Sequence, residues 1–321
     1  MSSSNPLLYL DESTLQSLDI TTENVIECME RLILRQSDGE AWCTPKSVIQ
    51  PGDGRYMMST LSAAQEPPYL AVKSIVLNPE NTARNLPQIN GLIILLDSRT
   101  GIPAAVLDGN WITAIRTAGA CAVVARRLAR QDSRTVAFIG AGVQARSHLR
   151  LFADMFPLEQ VIVYGRGKPN RTALCRDAES RQLRSVDCRD PREAVRDADI
   201  IVSSLTMTDE IEPFIDPDWL KSGVFLSSTD CAKPFRSADL GIFTHIVIDD
   251  MEQEAAMPDP MVPTDLISGD LSSLVAGRTQ GRVDDGERCA FVFRSVAIGD
   301  LALSSLAYEL ARQSRAGLQM A

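Results

Sequence analysis

The segment of this chain best suited to chemistry is the run Gly140-Ala141-Gly142-Val143-Gln144-Ala145. It has the G-x-G-x-x-G/A spacing of a dinucleotide-binding turn, follows the apolar residues 136–139 and opens a predicted helix. In such a turn Gly140 permits the tight bend, Gly142 lets the backbone approach a pyrophosphate, and Ala145 allows close packing of helix on strand. A plain strand-to-helix turn that needs glycine is the alternative, and the context favours the dinucleotide site.

The end of the next predicted strand, residues 161–164, bears on the type of dinucleotide. An NAD site usually places an acidic residue about 20 residues after the glycines, where it binds the ribose 2′-hydroxyl. This chain has Arg166 and Lys168 there and no acidic residue. Because a cation suits a 2′-phosphate, the sequence favours NADP as the cofactor, with NAD as the second possibility. Two ordinary solvated loop cations are the alternative interpretation.

Two basic residues lie in surroundings that are otherwise apolar or small. Lys73 interrupts the apolar run of residues 71–76, where a lysine is unfavourable to bury unless it is paired. On the pattern alone, an outward-facing strand lysine is favoured. Arg116 lies in the first turns of an Ala-rich helix predicted over residues 112–130, and its guanidinium suits a carboxylate. A surface arginine that bridges an acidic residue is an equal alternative.

Asp230 follows a strand predicted over residues 224–226. Ligands of open α/β folds bind at the carboxyl ends of the parallel strands. An acidic residue there can act as a general acid or base if burial or a neighbour tunes its pKa. A loop aspartate that caps the next turn is the alternative.

The composition of the chain argues against several classes of protein. The chain has 321 residues, enough for about two domains, and 32 basic against 42 acidic residues give a net charge of −10. Such an acidic chain is a poor candidate for general nucleic-acid binding. Two histidines make a His-rich metal site improbable, and seven scattered cysteines without a CxxC pair are typical of reduced thiols.

The sequence also predicts where in the cell the protein is located. No apolar run approaches the ~20 residues that span a bilayer. The N-terminal residues 1–6 have no basic segment followed by an apolar stretch, so they predict no secretory signal. We therefore expect a cytoplasmic protein with no membrane and no nucleic-acid partner.

The elements that must position these residues are predicted from apolar periodicity. After residue 132, short apolar strands alternate with helices, which predicts an α/β fold with a doubly wound parallel sheet of Rossmann type. The predicted strands cover residues 136–139, 161–164, 200–202, 224–226 and 246–248, and the predicted helices cover residues 143–155 and 172–181.

The remainder of the chain predicts a discontinuous α+β domain. Strands are predicted over residues 7–10, 69–77 and 91–96, and a helix over residues 22–36. A last helix over residues 300–314 is expected to pack back on this domain. The predicted division is residues 1–116 with 297–321 for one domain and residues 117–296 for the dinucleotide-binding domain.

These segments together resemble the ornithine cyclodeaminase/μ-crystallin family over nearly the whole chain. The resemblance implies a homodimer with a Rossmann domain and a second domain for substrate binding and dimer contacts. It also implies hydride chemistry at the α-carbon of an amino acid or its imine. The matching segments are residues 107–113 continuing through Arg116-Thr117-Ala118, residues 138–145, Gly277-Arg278 with Gly281-Arg282, and residues 293–300.

The resemblance also implies a role for individual residues. Asp230 would be the general acid or base, and Lys73 would contact the substrate near the reacting carbon. Arg116 would bind the substrate carboxylate, helped by Lys46 and Val296. No metal is expected. The cofactor would be bound by Thr117, Gly140, Gly142, Val143, Gln144, Ala145, Gly165, Arg166, Thr206, Ser227 and Ser295.

Departures from the family pattern favour one activity within it. The run of residues 229–235 keeps the acidic residue and the cysteine of cyclodeaminases but lacks their Pro-Gly pair. The acidic residue that retains NAD is also missing. The leading hypothesis is therefore an NAD(P)H-dependent reductase of a cyclic or linear 2-imino acid, such as Δ1-pyrroline-2-carboxylate or Δ1-piperideine-2-carboxylate. Ornithine cyclodeaminase with catalytic NAD, an alanine-type dehydrogenase and a non-enzymatic μ-crystallin-like binding protein are the alternatives.

Overall fold

The computed structural model describes residues 6–206 and 211–320. Residues 1–5, which belong to the segment that predicts no secretory signal, lie outside the described residues. The chain divides into two compact units: a first unit, up to Arg116 and again from Val296 onward, and a second unit, Thr117–Ser295.

Strands of the described residues form one sheet in each unit. They are β1 (Leu7–Leu10), β2 (Ala41–Cys43), β3 (Ser47–Ile49), β4 (Tyr56–Ala64), β5 (Tyr69–Leu77), β6 (Ile89–Asp97), β7 (Pro103–Asp108), β8 (Thr135–Ile139), β9 (Gln160–Tyr164), β10 (Arg184–Asp187), β11 (Ile200–Ser203), β12 (Phe225–Ser228), β13 (His245–Ile248), β14 (Ile267–Asp270), β15 (Cys289–Val292) and β16 (Leu318–Met320).

Helices of the described residues range from one turn to five. They are α1 (Glu12–Ser17), α2 (Thr22–Ser37), α3 (Gly109–Leu128), α4 (Val143–Met155), α5 (Lys168–Ser180), α6 (Pro191–Val195), α7 (Met251–Ala255), α8 (Leu271–Val275) and α9 (Ile298–Ser314). Within the described parts of the chain, none of these helices combines the length and the apolar character that a membrane span requires.

The sheet of the first unit has the strand order β16-β1-β7-β6-β5-β4-β2, with β3 paired to β4. Its central strands β4 to β7 are antiparallel, so side chains alternate between two faces. The face that carries Ala71, Ile75 and Ile93 is buried, and α9 packs against β4, β5 and β6. The expectation that the last helix packs on the N-terminal elements is therefore confirmed.

The opposite face of this sheet carries a row of apolar side chains in register. Leu61, Val72, Ile94 and Val106 are cross-strand partners on β4, β5, β6 and β7. The side chains of Leu61 and Ile94 are 45% and 41% exposed. The first unit thus has one covered and one uncovered sheet face, and the uncovered face is apolar.

The second unit is built on a sheet of eight parallel strands in the order β10-β9-β8-β11-β12-β15-β13-β14. From β8 the chain continues to β9 and β10 on one side of the sheet, and it then returns to β11 and β12 on the other side of β8. The pair β8 and β11 is therefore the topological switch point. The predicted α/β class with a doubly wound parallel sheet is confirmed. Periodicity missed the short strands β10, β14 and β15.

Three predicted helix starts were late: α9 begins at Ile298 rather than residue 300, and local chemistry explains the two larger differences. Helix α3 begins at Gly109 rather than residue 112, because the Asp108 carboxylate accepts a hydrogen bond from the Trp111 N–H at 2.7 Å and caps the first turn. Helix α5 begins at Lys168 rather than residue 172, because Pro169 lies in its first turn, where the missing N–H has no cost.

Candidate functional site

The first unit contains a cluster of three buried charges. The Nζ atom of Lys73 lies 2.6 Å from Oδ2 of Asp300, and Nε of Arg116 lies 3.0 Å from Oδ1 of the same carboxylate. The three side chains are 1%, 3% and 1% exposed in the order Lys73, Arg116, Asp300. We call these three residues the buried charge cluster. Two cations therefore lie beside the same carboxylate.

Three elements bring the cluster together. Lys73 lies on the covered face of β5, Arg116 lies in the second turn of α3, and Asp300 lies in the first turn of α9. The favoured interpretation of Lys73 as an outward-facing strand lysine is wrong. The alternation of β5 places Lys73 on the same face as Ala71 and Ile75, and the Asp300 carboxylate compensates the burial of its charge.

Burial and the neighbouring charges change the pKa of Lys73. The pKa of Lys73 is lowered from 10.5 to about 8: burial lowers it most, the positive charge of Arg116 acts in the same direction, and Asp300 opposes both effects. Lys46, which precedes β3, also lowers the pKa of Lys73. Lys46 is half-buried, as is Val296. The structure therefore brings Lys73 and Arg116 together, and Lys46 acts on Lys73 through its charge.

The glycine-rich turn of the second unit lies between β8 and α4. Gly140 has a φ of +100°, and a Cβ there would lie 2.6 Å from the Ser204 carbonyl oxygen. The Gly140 N–H donates to the Tyr164 carbonyl at 2.8 Å, which fixes the turn to the end of β9. Only glycine fits this position without strain.

The rest of the turn has the features that a dinucleotide requires. Gly142 is the N-cap of α4 and makes no side-chain cap, and a Cβ there would meet no atom within 4 Å. Val143 is 66% exposed, Gln144 is half-buried, and Ala145 is fully buried against the sheet. The N–H groups of the first turn of α4 thus lie where a pyrophosphate would bind a Rossmann fold. These residues fit a dinucleotide.

The turn after β9 is held from one side by a buried arginine. The Arg171 guanidinium donates to the carbonyl oxygens of Gly165 and Arg166 at 2.6 and 3.0 Å and pairs with Asp187 at 2.6 Å. A Cβ on Gly165 would lie 3.7 Å from the Ala141 nitrogen, so this turn lies against the glycine-rich turn. The Arg166 side chain is exposed.

Asp230 is fully buried at the end of β12 and is held by three neutral donors. Its Oδ2 accepts from the Ser203 hydroxyl at 2.6 Å and from the Leu205 N–H at 3.0 Å, and its Oδ1 accepts from the Ser228 hydroxyl at 2.7 Å. Burial raises the pKa of Asp230, and the three hydrogen bonds oppose that rise. A carboxyl group with a raised pKa is suited to proton transfer.

The backbone after Asp230 is strained. Cys231 and Ala232 both have a φ of +56°, in the left-handed region that residues other than glycine seldom adopt. The Ser228 hydroxyl accepts from the Ala232 N–H at 2.8 Å while it donates to Asp230. Ser228 therefore stabilises the strained loop and the carboxylate together, which is typical of a functional site.

The remaining predicted cofactor residues lie in the second unit. Thr117 is buried on α3, Ser227 is buried within β12, and Thr206 is exposed after β11. Ser295 is buried with a φ of +129°, and its N–H donates to Asp249 at 2.6 Å. Their contact with a cofactor stays a prediction.

Three residues of these clusters were not predicted from the sequence as site residues: Asp300, Ser203 and Ser228. Asp300 ends the segment 293–300 that carried part of the family resemblance, so a signal for it was present. The two serines gave no signal, because only the pairing of β11 with β12 makes Ser203 and Ser228 cross-strand neighbours.

Known proteins resemble this chain in sequence and in fold. Alanine dehydrogenase of Archaeoglobus fulgidus is 27% identical over 322 residues, covering 97% of each chain. The ketimine reductase mu-crystallin of Rattus norvegicus is 30% identical over 263 residues, covering 79% of each chain. The structure of Thermococcus litoralis Δ(1)-pyrroline-2-carboxylate reductase in complex with NADH and L-proline superposes with a TM-score of 0.90 at 29% identity, covering 98% of this chain and 100% of that one.

A sequence model of one protein family matches almost the whole chain. The model of the ornithine cyclodeaminase/mu-crystallin family matches residues 11–315, which include the buried charge cluster, the glycine-rich turn and Asp230. The chain belongs to the ornithine cyclodeaminase/mu-crystallin family.

Proposed function

We propose that this protein reduces a 2-imino acid to the L-amino acid, with cyclic ketimines such as Δ1-pyrroline-2-carboxylate or Δ1-piperideine-2-carboxylate as the preferred class. The chain is an NAD(P)-dependent oxidoreductase, the class to which the named reductases and dehydrogenases among its relatives belong. The observation that carries the substrate proposal is the buried charge cluster, in which Lys73 and Arg116 share one carboxylate. Two buried cations held close together suit a bound carboxylate, and every 2-imino acid carries a carboxylate.

The roles of the residues follow from their chemistry. Arg116 binds and orients the substrate carboxylate, since its planar guanidinium matches two carboxylate oxygens, and Lys73 adds a second positive charge. Asp230 donates the proton that the imine nitrogen gains, because burial keeps its carboxyl protonated to a higher pH than an exposed aspartate. A reduced nicotinamide, when bound, supplies the hydride that goes to the imine carbon. One hydride and one proton together convert C=N to an amine.

Burial also excludes water from the three side chains to which these roles are assigned. Lys73, Arg116 and Asp230 are all at most 3% exposed. In surroundings of low dielectric, the charges of Lys73 and Arg116 act more strongly on a bound carboxylate than they would in water.

We propose NADP as the preferred cofactor, with NAD as the second choice. Support comes from the exposed Arg166 in the turn after β9, and from the absence of an acidic residue in that turn. Arg166→Ser is expected to raise the Kd for NADPH about tenfold and to leave the Kd for NADH unchanged, since only NADPH carries the 2′-phosphate. Arg176→Ser, at an exposed position of α5, is the matched control for a general loss of charge. An equal loss for both cofactors would contradict the preference.

We also propose that the first unit binds substrate and forms a cytoplasmic homodimer through its uncovered sheet face. Exposed apolar patches of this kind mark interfaces, and Leu61 and Ile94 lie at its centre. The seven free cysteines fit a reducing compartment. Leu61→Lys is expected to give a monomer by light scattering, whereas Ile102→Lys, an exposed apolar residue in the turn before β7, is expected to leave the dimer intact. A monomeric wild-type protein would overturn the proposal.

The proposed activity is tested by the absorbance of reduced nicotinamide. NADPH and NADH are supplied in parallel with pyrroline-2-carboxylate, piperideine-2-carboxylate, or pyruvate plus ammonia. Oxidation that depends on a cyclic imine is the expected result. Oxidation only with pyruvate plus ammonia would indicate an alanine-type dehydrogenase, and ammonia release from ornithine with catalytic NAD would indicate a cyclodeaminase. Cofactor binding without any turnover would indicate a binding protein.

A further inference from the structure

We propose that Asp300 is a positioning residue whose carboxylate holds Lys73 and Arg116 side by side, so that the two cations form a preformed binding position for the substrate carboxylate. The inference rests on the proposed function, because it takes the substrate to be a carboxylic acid. Asp300 itself repels a carboxylate, so its role is exerted through the two cations.

The ion-pair geometry supports this role. Each oxygen of Asp300 pairs with a different cation, Lys73 at 2.6 Å and Arg116 at 3.0 Å. The contact with Arg116 is made through Nε, so the attraction between the two charges keeps this edge of the planar guanidinium toward Asp300. A bidentate contact with a carboxylate depends on the orientation of that plane.

The local packing is adapted to the same arrangement. Gly299 precedes Asp300, and a Cβ at Gly299 would lie 2.9 Å from Cε of Met29 and 3.3 Å from Cδ of Arg116. A larger residue at position 299 would therefore push against the aliphatic stem of Arg116. From β4, the Thr60 hydroxyl donates a hydrogen bond to Oδ2 of Asp300 at 3.4 Å.

The charges that face Lys73 explain why a carboxylate is needed there. Arg116 on α3 and Lys46 before β3 both disfavour a protonated Lys73, and burial acts in the same direction. Asp300 on α9 opposes them, through its charge and through its contact with Nζ. Without Asp300 the two buried cations would repel each other, and Lys73 would lose its proton at a lower pH.

The test compares wild-type protein with Asp300→Asn, which keeps the shape of the side chain and removes its charge. Calorimetry measures the binding of pyrrole-2-carboxylate, a planar analogue of the cyclic imine, across a range of pH, and the binding of NADPH is the control for the second unit. Asp300→Asn is expected to weaken pyrrole-2-carboxylate binding about 10- to 100-fold. The pH above which binding fails is expected to shift downward, and NADPH binding is expected to stay unchanged. An unchanged affinity and pH limit would overturn the proposal, as would a lower melting temperature without a shift of the pH limit.

A second variant keeps the test decisive if Asp300→Asn does not fold. Lys73→Met/Asp300→Asn removes one cation together with the carboxylate charge, and it is compared with Lys73→Met alone. The double variant is expected to bind pyrrole-2-carboxylate more weakly than Lys73→Met, because Arg116 has lost its orientation. Equal binding by the two variants would overturn the proposal. Failure of the proposed function is distinguished by wild-type protein that neither oxidises NADPH with an imino acid nor binds pyrrole-2-carboxylate.

Discussion

Asp300 in the first unit and Asp230 in the second are exposed by 1% and 0%, and these two buried aspartates have opposite surroundings. Asp300 in the first unit lies between two cations, Lys73 and Arg116. Asp230 in the second unit lies among three neutral donors, two hydroxyls and one backbone N–H. The same residue type is therefore used once as a counter-ion and once as a group that can exchange a proton.

The difference shows how neighbours select the function of a buried carboxyl group. A cation stabilises the ionised form by its charge, and such a pair is costly to break once it is buried. Neutral donors stabilise the ionised form less, so burial prevails and raises the pKa of Asp230. A carboxyl group of the second kind is the better proton donor near neutral pH. The following changes test this contrast, from the largest expected effect to the smallest.

Asp230→Asn removes the proposed proton donor and keeps the shape of the side chain. We expect kcat for imine reduction to fall about 10²- to 10⁴-fold, the range that general acid catalysis contributes. NADPH binding and the melting temperature serve as controls, because an amide can keep part of the hydrogen bonding with Ser203 and Ser228. A kcat within a few-fold of the wild-type value would show that the proton comes from another group.

Arg116→Lys keeps the charge of the cluster and removes the planar fork. We expect KM for the imino acid to rise about 10²-fold with a smaller change in kcat, because a lysine cannot bind a carboxylate in a bidentate manner. Steady-state kinetics at saturating NADPH measure both constants. If kcat fell and KM did not change, Arg116 would act on the transition state rather than on substrate binding.

Lys73 makes the stability of the protein depend on pH in a defined direction. Its pKa is about 8 in the folded protein and has the ordinary value of 10.5 when the chain is unfolded. Below about pH 8 both states are protonated, so the cost of burying the charge is fully present. Between about pH 8 and 10.5 the unfolded state binds more protons, so the free energy of unfolding rises with pH.

Urea unfolding of wild-type protein and Lys73→Met at several pH values isolates this contribution. We expect the difference in unfolding free energy, wild type minus Lys73→Met, to increase by up to a few kcal/mol from pH 8 to 10.5. The variant serves as the control for all other titrating groups. A difference that stays constant over this range would show that the pKa of Lys73 is the same in both states.

Ser203→Ala removes one of the neutral donors to Asp230 and gives the smallest effect. Because the lost hydrogen bond stabilised the ionised carboxylate, the pKa of Asp230 is expected to rise further. The limb of the kcat–pH profile that reports loss of the Asp230 proton is expected to move to higher pH. Ser228→Ala is the comparison, since it also removes the support of the Ala232 N–H. A limb that moved to lower pH would contradict the assigned direction.

The sequence determined the features of this protein that depend on neighbours along the chain. Apolar periodicity predicted the parallel sheet of the second unit, and the spacing of Gly140, Gly142 and Ala145 predicted the turn between β8 and α4. These patterns are local, because a turn with positive φ needs glycine and a buried strand needs apolar residues wherever the rest of the chain lies. Helix starts were less well predicted, because Asp108 and Pro169 act through single contacts.

Only the tertiary structure decided what surrounds each charged side chain. Alternation along β5 is the same whichever face is covered, so it could not show that Lys73 is buried. That depends on α9, which comes from the far end of the chain and brings Asp300 with it. In the same way, Ser203 reaches Asp230 only because β11 and β12 pair in register. The protonation of a buried group depends on the charges and donors within a few ångströms of it, and folding, rather than position in the sequence, selects those neighbours.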